Sequence, residues 1–193
     1  MSGHRRRAHT GHGRDAHDGE PSSVHAHRRD APREIPSAIL TVSDTRTEET
    51  DTGGALVAEL LTAAGHPVAW RRIVRDEVDA IRGAFHEALA VDGVRALIVT
   101  GGTGVAPRDV TPEAIETLLD RALPGFGELF RALSYAEIGS AALLSRAFAG
   151  LCEGRAVFAM PGSRGAIRTA MEKLILPELG HLVGEGAKRL KGI

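Results

Sequence analysis

A chain of 193 residues, 42% of them hydrophobic and 25% charged, has the size and composition of one soluble globular domain with some excess chain. With a formal net charge of −1, the chain has no overall positive potential that would attract nucleic acid. No apolar run approaches the roughly 18 residues of a membrane span. The single cysteine, Cys152, cannot form an internal disulfide, and we expect it in the core. No hydrophobic leader follows the N-terminal arginines, so we expect a cytoplasmic protein.

Residues 1–34 differ in composition from the rest of the chain. They contain six of the nine histidines and seven arginines, with Val24 as the one large aliphatic residue before the junction. This composition predicts a disordered tail in front of a domain that spans residues 35–193. The histidine spacings match no regular ligand pattern, which favours a plain tail over a metal site; weak binding of acidic partners stays open.

The first part of the domain alternates short apolar runs with amphipathic stretches. Ser37–Ser43 is too short for a helix and rich in β-branched residues, which predicts a buried strand. Gly53–Gly65 follows with helical periodicity, then His66–Val74 as a second strand and Glu77–Val91 as a second helix.

The third predicted strand begins at Ala96 and ends in a glycine-rich loop, Gly101-Gly102-Thr103-Gly104. Thr111-Pro112-Glu113 then predicts a helix start, with threonine as the cap, proline at the first helical position and glutamate near the positive end of the dipole. The chain thus delivers a flexible polar loop to one edge of a sheet, where backbone N–H groups can face an anion.

Beyond Pro124 the pattern is less regular. Short helical pieces are expected around Glu128–Leu133 and Tyr135–Leu144. Ser145–Gly150 and Arg155–Met160 then read as two strands, which the intervening Glu153-Gly154 turn would join into an antiparallel hairpin.

The late turn Pro161-Gly162-Ser163 follows a strand as the glycine loop does and opens another helix, and a last helix is expected from about Pro177 to Lys191. Strands that alternate with helices of these lengths predict an α/β fold of three layers: a largely parallel sheet with helices on both faces and one late antiparallel hairpin.

Four strand ends carry polar groups that such a sheet would bring to one edge: Ser43-Asp44, Asp76, the loop from Gly101 to Asp109, and Pro161–Ser163. Backbone donors in the glycine loop suit phosphate oxygens, and the aspartates suit a divalent cation or a general base. The loop is neither a Walker A motif nor a dinucleotide fingerprint. These residue types therefore indicate that the site binds a nucleotide and acts on it. The alternative, that the loop is only a tight connection between a strand and a helix and binds no ligand, stays open.

Five motifs follow one another along the domain: Gly101–Gly104, Pro107–Glu113, Pro124–Glu128, Leu144–Ala147 and Met160–Ser163. Together they resemble the molybdopterin-binding, molybdopterin-adenylyltransferase family of molybdenum cofactor biosynthesis, over about Ser37 to Leu190. The segments around Leu133–Gly139 and Phe158–Ser163 are more similar to the branch called molybdenum cofactor biosynthesis protein B.

The resemblance implies that ATP and molybdopterin give adenylylated molybdopterin and pyrophosphate with a divalent cation, usually Mg²⁺. By the same resemblance, Asp109 is the main catalytic carboxylate and the metal ligand, and Asp76 the second catalytic aspartate. Positioning and charge stabilisation would do most of the work, because the attacking atom is the terminal phosphate oxygen of molybdopterin.

The implied nucleotide- and molybdopterin-binding set is larger. Thr103 and Thr111 are expected to donate hydrogen bonds to phosphate. Arg146 is expected to pair with the phosphate of the pterin substrate. Ser163 and Arg164 are expected to lie at a helix N-terminus, which suits an anion. The full set is Ser43, Asp44, Gly101, Gly102, Thr103, Gly104, Arg108, Thr111, Ser145, Arg146, Pro161, Gly162 and Ser163.

Two hypotheses remain at this point: an active adenylyltransferase, and a non-catalytic protein that binds molybdopterin or assists assembly on the same fold. The resemblance also implies a homotrimer or homohexamer and a downstream molybdenum-insertion protein as a partner, with neither nucleic acid nor membrane.

Overall fold

A computed structural model of the protein describes residues 32–188. The predicted tail therefore lies outside the described residues except for its last three positions, which are exposed. The end of the last predicted helix, from residue 189 onwards, also lies outside them.

The described chain forms strands and helices in alternation, as the sequence predicts for its first half. The strands are β1 (Ser37–Val42), β2 (Val68–Val74), β3 (Ala96–Thr100), β4 (Arg121–Ala122), β5 (Phe148–Cys152) and β6 (Arg155–Met160). The helices are α1 (Thr52–Ala63), α2 (Val78–Ala90), α3 (Thr111–Ile115), α4 (Pro124–Ile138), α5 (Arg164–Ala170) and α6 (Leu176–Lys188).

The strands make one six-stranded sheet in the order β2-β1-β3-β6-β5-β4. The first four strands in that order pair in parallel, and β5 pairs antiparallel with both β6 and β4. The predicted hairpin is confirmed, with its turn at Glu153-Gly154, although its first strand begins at Phe148 rather than Ser145. The short edge strand β4 adds a second antiparallel pair that the sequence did not indicate.

Both faces of the sheet are covered, which confirms the predicted three layers. Alternate residues of β1 enter different cores: Ile39 packs with α1, α4, α5 and α6, while Leu40 packs with α2 and α3 on the other face. Every residue of β1 and β3 is buried, as expected for parallel strands between two helical layers. Cys152 is buried in the second core, as predicted.

The structure corrects the helix predictions in two places. The two pieces expected at residues 128–133 and 135–144 are one helix, α4, followed by a 3₁₀ turn over Gly139–Leu144. The break falls at Gly139, whose φ of +62° favours glycine. The last two predicted helices are continuous, because a π-helical segment over Met171–Ile175 joins α5 to α6. Within residues 32–188, none of these helices has the length and apolar character that crossing a membrane requires.

Candidate active site at the carboxyl edge of the sheet

The four predicted strand ends meet at one edge of the sheet. Asp44 follows β1, Asp76 follows β2, the glycine loop follows β3, and Pro161 follows β6. The backbone N–H of Asp76 donates to Asp44 Oδ1 at 3.3 Å. Strand order reverses between β1 and β3, and the crevice beside such a switch is where α/β sheets bind ligands.

The glycine loop adopts a backbone that requires glycine at its first two positions. Gly101 and Gly102 have φ values of +96° and +62°. A Cβ on Gly102 would lie 2.7 Å from Asp76 Oδ1. The amides of residues 102–105 have no hydrogen-bond acceptor in the described chain, so they are available to an anion.

Three carboxylates, those of Asp44, Asp76 and Asp109, lie near this loop, and the first two have pKa values shifted in opposite directions. Arg108 makes a bidentate pair with Asp44, from Nε to Oδ2 at 3.0 Å and from Nη2 to Oδ1 at 2.7 Å, and these hydrogen bonds lower the pKa of Asp44. The pKa of Asp76 is raised, chiefly by burial and then by the charges of Asp44 and Asp109. The raised pKa of Asp76 thus reflects negative charge around it that nearby cationic groups do not fully compensate.

A divalent cation fits this charge distribution. Asp76 and Asp109 are half-buried and both lie against the loop: a Cβ on Gly104 would lie 2.7 Å from Asp109 Oδ2, and one on Gly102 would lie 2.7 Å from Asp76 Oδ1. Within residues 32–188, no three His, Cys, Asp or Glu side chains form a metal cage. Mg²⁺ is commonly held by one or two carboxylates together with substrate phosphates, and these residues suit that mode.

Thr111 has a different local role from the one predicted. Val110 occupies the N-cap position of α3, and the Thr111 hydroxyl donates to the carbonyl of Gly101 at 2.9 Å. The prediction of a threonine cap is therefore wrong. Donation from Thr111 to a phosphate would require this bond to break, because a hydroxyl has one proton.

Arg146 makes several hydrogen bonds within the protein. Its Nε donates to the carbonyl of Gly104 at 2.7 Å, Nη2 donates to the carbonyl of Asp109 at 2.5 Å, and Nη1 pairs with Glu113. Its backbone N–H also donates to the carbonyl of Thr103 at 2.8 Å. These hydrogen bonds join Arg146 to the glycine loop, and its pairing with a substrate phosphate stays a prediction.

The remaining predicted residues border the same edge. Gly162 packs beside Gly101, with 3.7 Å from a built Cβ to the Gly101 backbone. Ser163 caps α5 by accepting a hydrogen bond from the amide of Ala166, and Ser145 accepts one from the amide of Ala147. Ser43 accepts hydrogen bonds from the amides of residues 45 and 46, which makes it part of the turn after β1. Arg164 is exposed at the start of α5.

Thr103 is the exception among these hydroxyl groups. Its side chain is 1% exposed, and its Oγ1 has no hydrogen-bond partner in residues 32–188. It lines a cavity of about 290 Å³ between the loops and α4. Ser134 of α4 lines this cavity too, and sequence reasoning missed it because Ser134 fell in the gap between two helical pieces.

Asp51 is a second residue that sequence reasoning missed. It is 3% exposed and accepts hydrogen bonds from the Gly54 amide, the Thr41 hydroxyl and Arg71, each at 2.8 Å. It thereby fixes the start of α1, where Gly53 lies against the Gly162 carbonyl. The Asp-Thr-Gly-Gly order before a helical pattern was the available signal, since aspartate is a favoured N-cap.

Comparison with known proteins agrees with this fold and with the predicted family. A family model described as "Probable molybdopterin binding domain" matches residues 38–181. Molybdenum cofactor biosynthesis protein B of Halalkalibacterium halodurans is 51% identical over 164 residues, which cover 84% of this chain and 96% of the relative.

Two solved structures extend the agreement. A crystal structure of a molybdenum cofactor biosynthesis protein B is 52% identical, with a TM-score of 0.79, and the match covers 82% of this chain and 99% of that one. The tungsten cofactor synthesizing protein MoaB from Pyrococcus furiosus is 36% identical, with a TM-score of 0.74 and coverage of 81% and 99%. The chain therefore belongs to the molybdopterin-binding-domain family, among relatives named molybdenum cofactor biosynthesis protein B.

Proposed function

We propose that this protein acts in molybdenum cofactor biosynthesis and adenylylates molybdopterin with ATP in the presence of Mg²⁺. The observation that carries the proposal is the glycine loop after β3, with unpartnered amides on its backbone and the carboxylates of Asp76 and Asp109 beside it. Phosphate oxygens and a cation are the chemical groups that satisfy both features.

In the proposed reaction, a terminal phosphate oxygen of molybdopterin attacks the α-phosphorus of ATP. A new P–O bond forms, the bond between the α-phosphorus and its bridging oxygen to the β-phosphate breaks, and pyrophosphate leaves with that electron pair. The loop amides are placed to stabilise charge on the phosphate oxygens. A bound Mg²⁺ would supply further charge neutralisation, with Asp109 and Asp76 as its protein ligands.

The hydrogen bonds of Arg146 support the role of the glycine loop in binding phosphate. Arg146 donates hydrogen bonds to the carbonyls of Gly104 and Asp109, so both carbonyl oxygens are already paired with a cationic group. The Asp109 Oδ2 also accepts a hydrogen bond from the Ala106 amide at 3.0 Å. The loop is thus ordered before substrate arrives, and preorganised donors lose little free energy to reorganisation when the reaction occurs.

The direct test measures formation of adenylylated molybdopterin and pyrophosphate from molybdopterin, ATP and Mg²⁺. We expect product from the wild type and a fall in rate of about 100-fold or more for Asp109→Asn, in the range seen for loss of one key electrostatic group. Asp92→Asn, at an exposed position away from the site, is the matched control and should keep full activity. Tight molybdopterin binding by the wild type without product would overturn the enzyme proposal and support a binding or assembly protein.

We also propose that the protein works as a homotrimer or homohexamer. Five of the six large hydrophobic side chains that residues 32–188 leave exposed lie in one segment of α4 and the following 3₁₀ turn: Leu129, Tyr135, Ile138, Leu143 and Leu144. A concentration of apolar surface in one segment is characteristic of an interaction surface.

A further inference from the structure

An ion pair joins two of the strand ends that form the candidate site. Arg108 belongs to the loop after β3 and Asp44 to the turn after β1, and the two residues are 64 positions apart in sequence. The guanidinium donates from Nε to Asp44 Oδ2 at 3.0 Å and from Nη2 to Asp44 Oδ1 at 2.7 Å. A bidentate contact of this kind holds a guanidinium in one orientation. Arg108 is therefore held on Asp44.

The same arginine is a suitable partner for a phosphate group. It is the one basic residue in the loop from 101 to 109, and it follows the glycine-loop amides that are available to an anion. A guanidinium binds phosphate in the same two-pronged geometry that it uses for a carboxylate. A phosphate that takes the Nε–Nη2 edge must displace Asp44, and one that approaches the other edge meets a cation whose charge Asp44 already balances.

The ion pair is exposed enough to open. The side chain of Arg108 is 60% exposed and that of Asp44 is 37% exposed. Ion pairs at such positions contribute little to stability, because water solvates both charges when they separate. A ligand with several negative charges can therefore replace Asp44 as the partner of Arg108.

Asp44 also adds to the negative charge that an anionic ligand has to approach. Its Oδ1 accepts a hydrogen bond from the Asp76 backbone N–H at 3.3 Å, and its charge helps to raise the pKa of Asp76, after the larger effect of burial. Asp44 thus acts against an anion twice, since it occupies Arg108 and repels negative charge beside Asp76.

We propose that Asp44 is an internal competitor for Arg108, and that the polyphosphate of ATP has to displace it in order to bind. The inference rests on the proposed function, because ATP is the polyphosphate of that reaction. It gives Asp44 a role opposite to the one that the family resemblance implies, since Asp44 lowers the affinity of the site for phosphate. A pair formed in about 70–90% of molecules lowers the apparent affinity about three- to tenfold.

The test is isothermal titration calorimetry of the full chain with inorganic pyrophosphate, in EDTA so that no cation bridges the charges. Asp44→Asn removes the charge and keeps the shape, and we expect it to raise the affinity for pyrophosphate about three- to tenfold. Arg108→Gln should lower the affinity, because it removes the cation. An unchanged or lower affinity in Asp44→Asn would overturn the proposal, and so would a failure of both the wild type and Asp44→Asn to bind pyrophosphate.

Glu77→Gln is the matched control for the loss of one negative charge. The pKa of Arg108 is raised, chiefly by the hydrogen bonds and charge of Asp44 and to a smaller extent by the charge of Glu77. Glu77 is exposed and forms no hydrogen bond with Arg108 in the described chain. We expect Glu77→Gln to raise the affinity less than twofold. A gain equal to that of Asp44→Asn would show a general effect of charge and overturn the competition.

A double variant tests whether the effect passes through Arg108. Asp44→Asn combined with Arg108→Gln should bind pyrophosphate as Arg108→Gln alone does, because the competition requires the arginine. A gain from Asp44→Asn that persists without Arg108 would overturn the proposal.

The competition and the proposed enzyme activity fail in different ways. Adenylylation by the wild type, with no gain in pyrophosphate affinity from Asp44→Asn, would overturn the competition and leave the enzyme intact. A gain that depends on Arg108, without any adenylylation, would support the competition and overturn the enzyme.

Discussion

Thr103 and Thr111 are both buried, yet their hydroxyl groups are in opposite situations. Thr103 Oγ1 has no partner in residues 32–188, while Thr111 Oγ1 donates to the Gly101 carbonyl. We expect Thr103→Val to raise the free energy of unfolding by about 1 kcal/mol, because it removes an unsatisfied polar group. Thr111→Val should lower it by about 1–3 kcal/mol, because it leaves the Gly101 carbonyl unpaired.

Urea denaturation at neutral pH measures both threonine variants. Each is the control for the other, since the change in side-chain volume is the same. A destabilised Thr103→Val would mean that its hydroxyl has a partner in the protein.

Asp76 and Asp44 provide a prediction on pH dependence. The pKa of Asp76 is raised, so its ionisation costs the folded state; that cost is absent below the ordinary value of 3.8 and complete above the raised pKa. Asp76→Asn should therefore raise the thermal midpoint at pH 7, and the gain should shrink as the pH falls towards 3.8. The pKa of Asp44 is lowered by Arg108, so Asp44→Asn should not raise the midpoint at pH 7.

Thermal unfolding followed by circular dichroism from pH 7 down to pH 4 checks this pair. A midpoint at pH 7 that falls for Asp76→Asn would show that the Asp76 carboxylate is stabilised as an anion, against the charge distribution described here. An Mg²⁺ titration of the same variants would test the cation site directly, because loss of Asp76 should weaken binding.

At the scale of one element, the start of α1 depends on Asp51. This nearly buried carboxylate caps the helix and pairs with Arg71 Nη2 at 2.8 Å. Asp51→Ala removes the cap and leaves a cation without its partner, so we expect a loss of about 3–5 kcal/mol in the free energy of unfolding. Asp79→Ala, at an exposed position in the first turn of α2, should cost only about 0.3–1 kcal/mol.

Chemical denaturation with both aspartate variants separates the cap from a general effect of lost charge. Equal losses for Asp51→Ala and Asp79→Ala would mean that burial and pairing at Asp51 contribute little. Since Gly53 lies against the Gly162 carbonyl, the Asp51 variant should also disturb the loop after β6.

At the scale of the whole molecule, the proposed oligomer depends on the exposed segment of α4 and the 3₁₀ turn. Leu143 is 81% exposed, so a charge there should leave the protomer folded. We expect Leu143→Lys to shift the mass measured by light scattering towards the monomer, because a lysine in an apolar interface must be desolvated. Thr62→Lys, exposed on α1, should leave the mass unchanged. A wild-type monomer at micromolar concentration would contradict the proposal.

The sequence predicted the sheet better than the helices around the site. Short runs rich in apolar and β-branched residues located β1, β3 and β6 with small errors at their ends, because burial on both faces imposes a strong apolar pattern. The pattern of α4 was weaker, since only Phe126, Gly127, Phe130 and Ser134 are buried in it, and only the two phenylalanines are large apolar residues. Its continuity across Ser134 is set by packing against β5 and the 3₁₀ turn, which local periodicity does not contain.

By itself, the sequence determined which groups share the carboxyl edge of the sheet, because parallel strands end on the same side. These groups are Asp44, Asp76, the glycine loop and Pro161–Ser163. Only the tertiary structure decided what each side chain does there. Thr111, Arg146 and Ser163 are bonded to backbone groups, while Thr103 faces a cavity without a partner. The physical reason is that the partners of Thr111 and Arg146 lie 10 and 42 residues away along the chain, so residue type alone does not show which polar groups are left for a ligand.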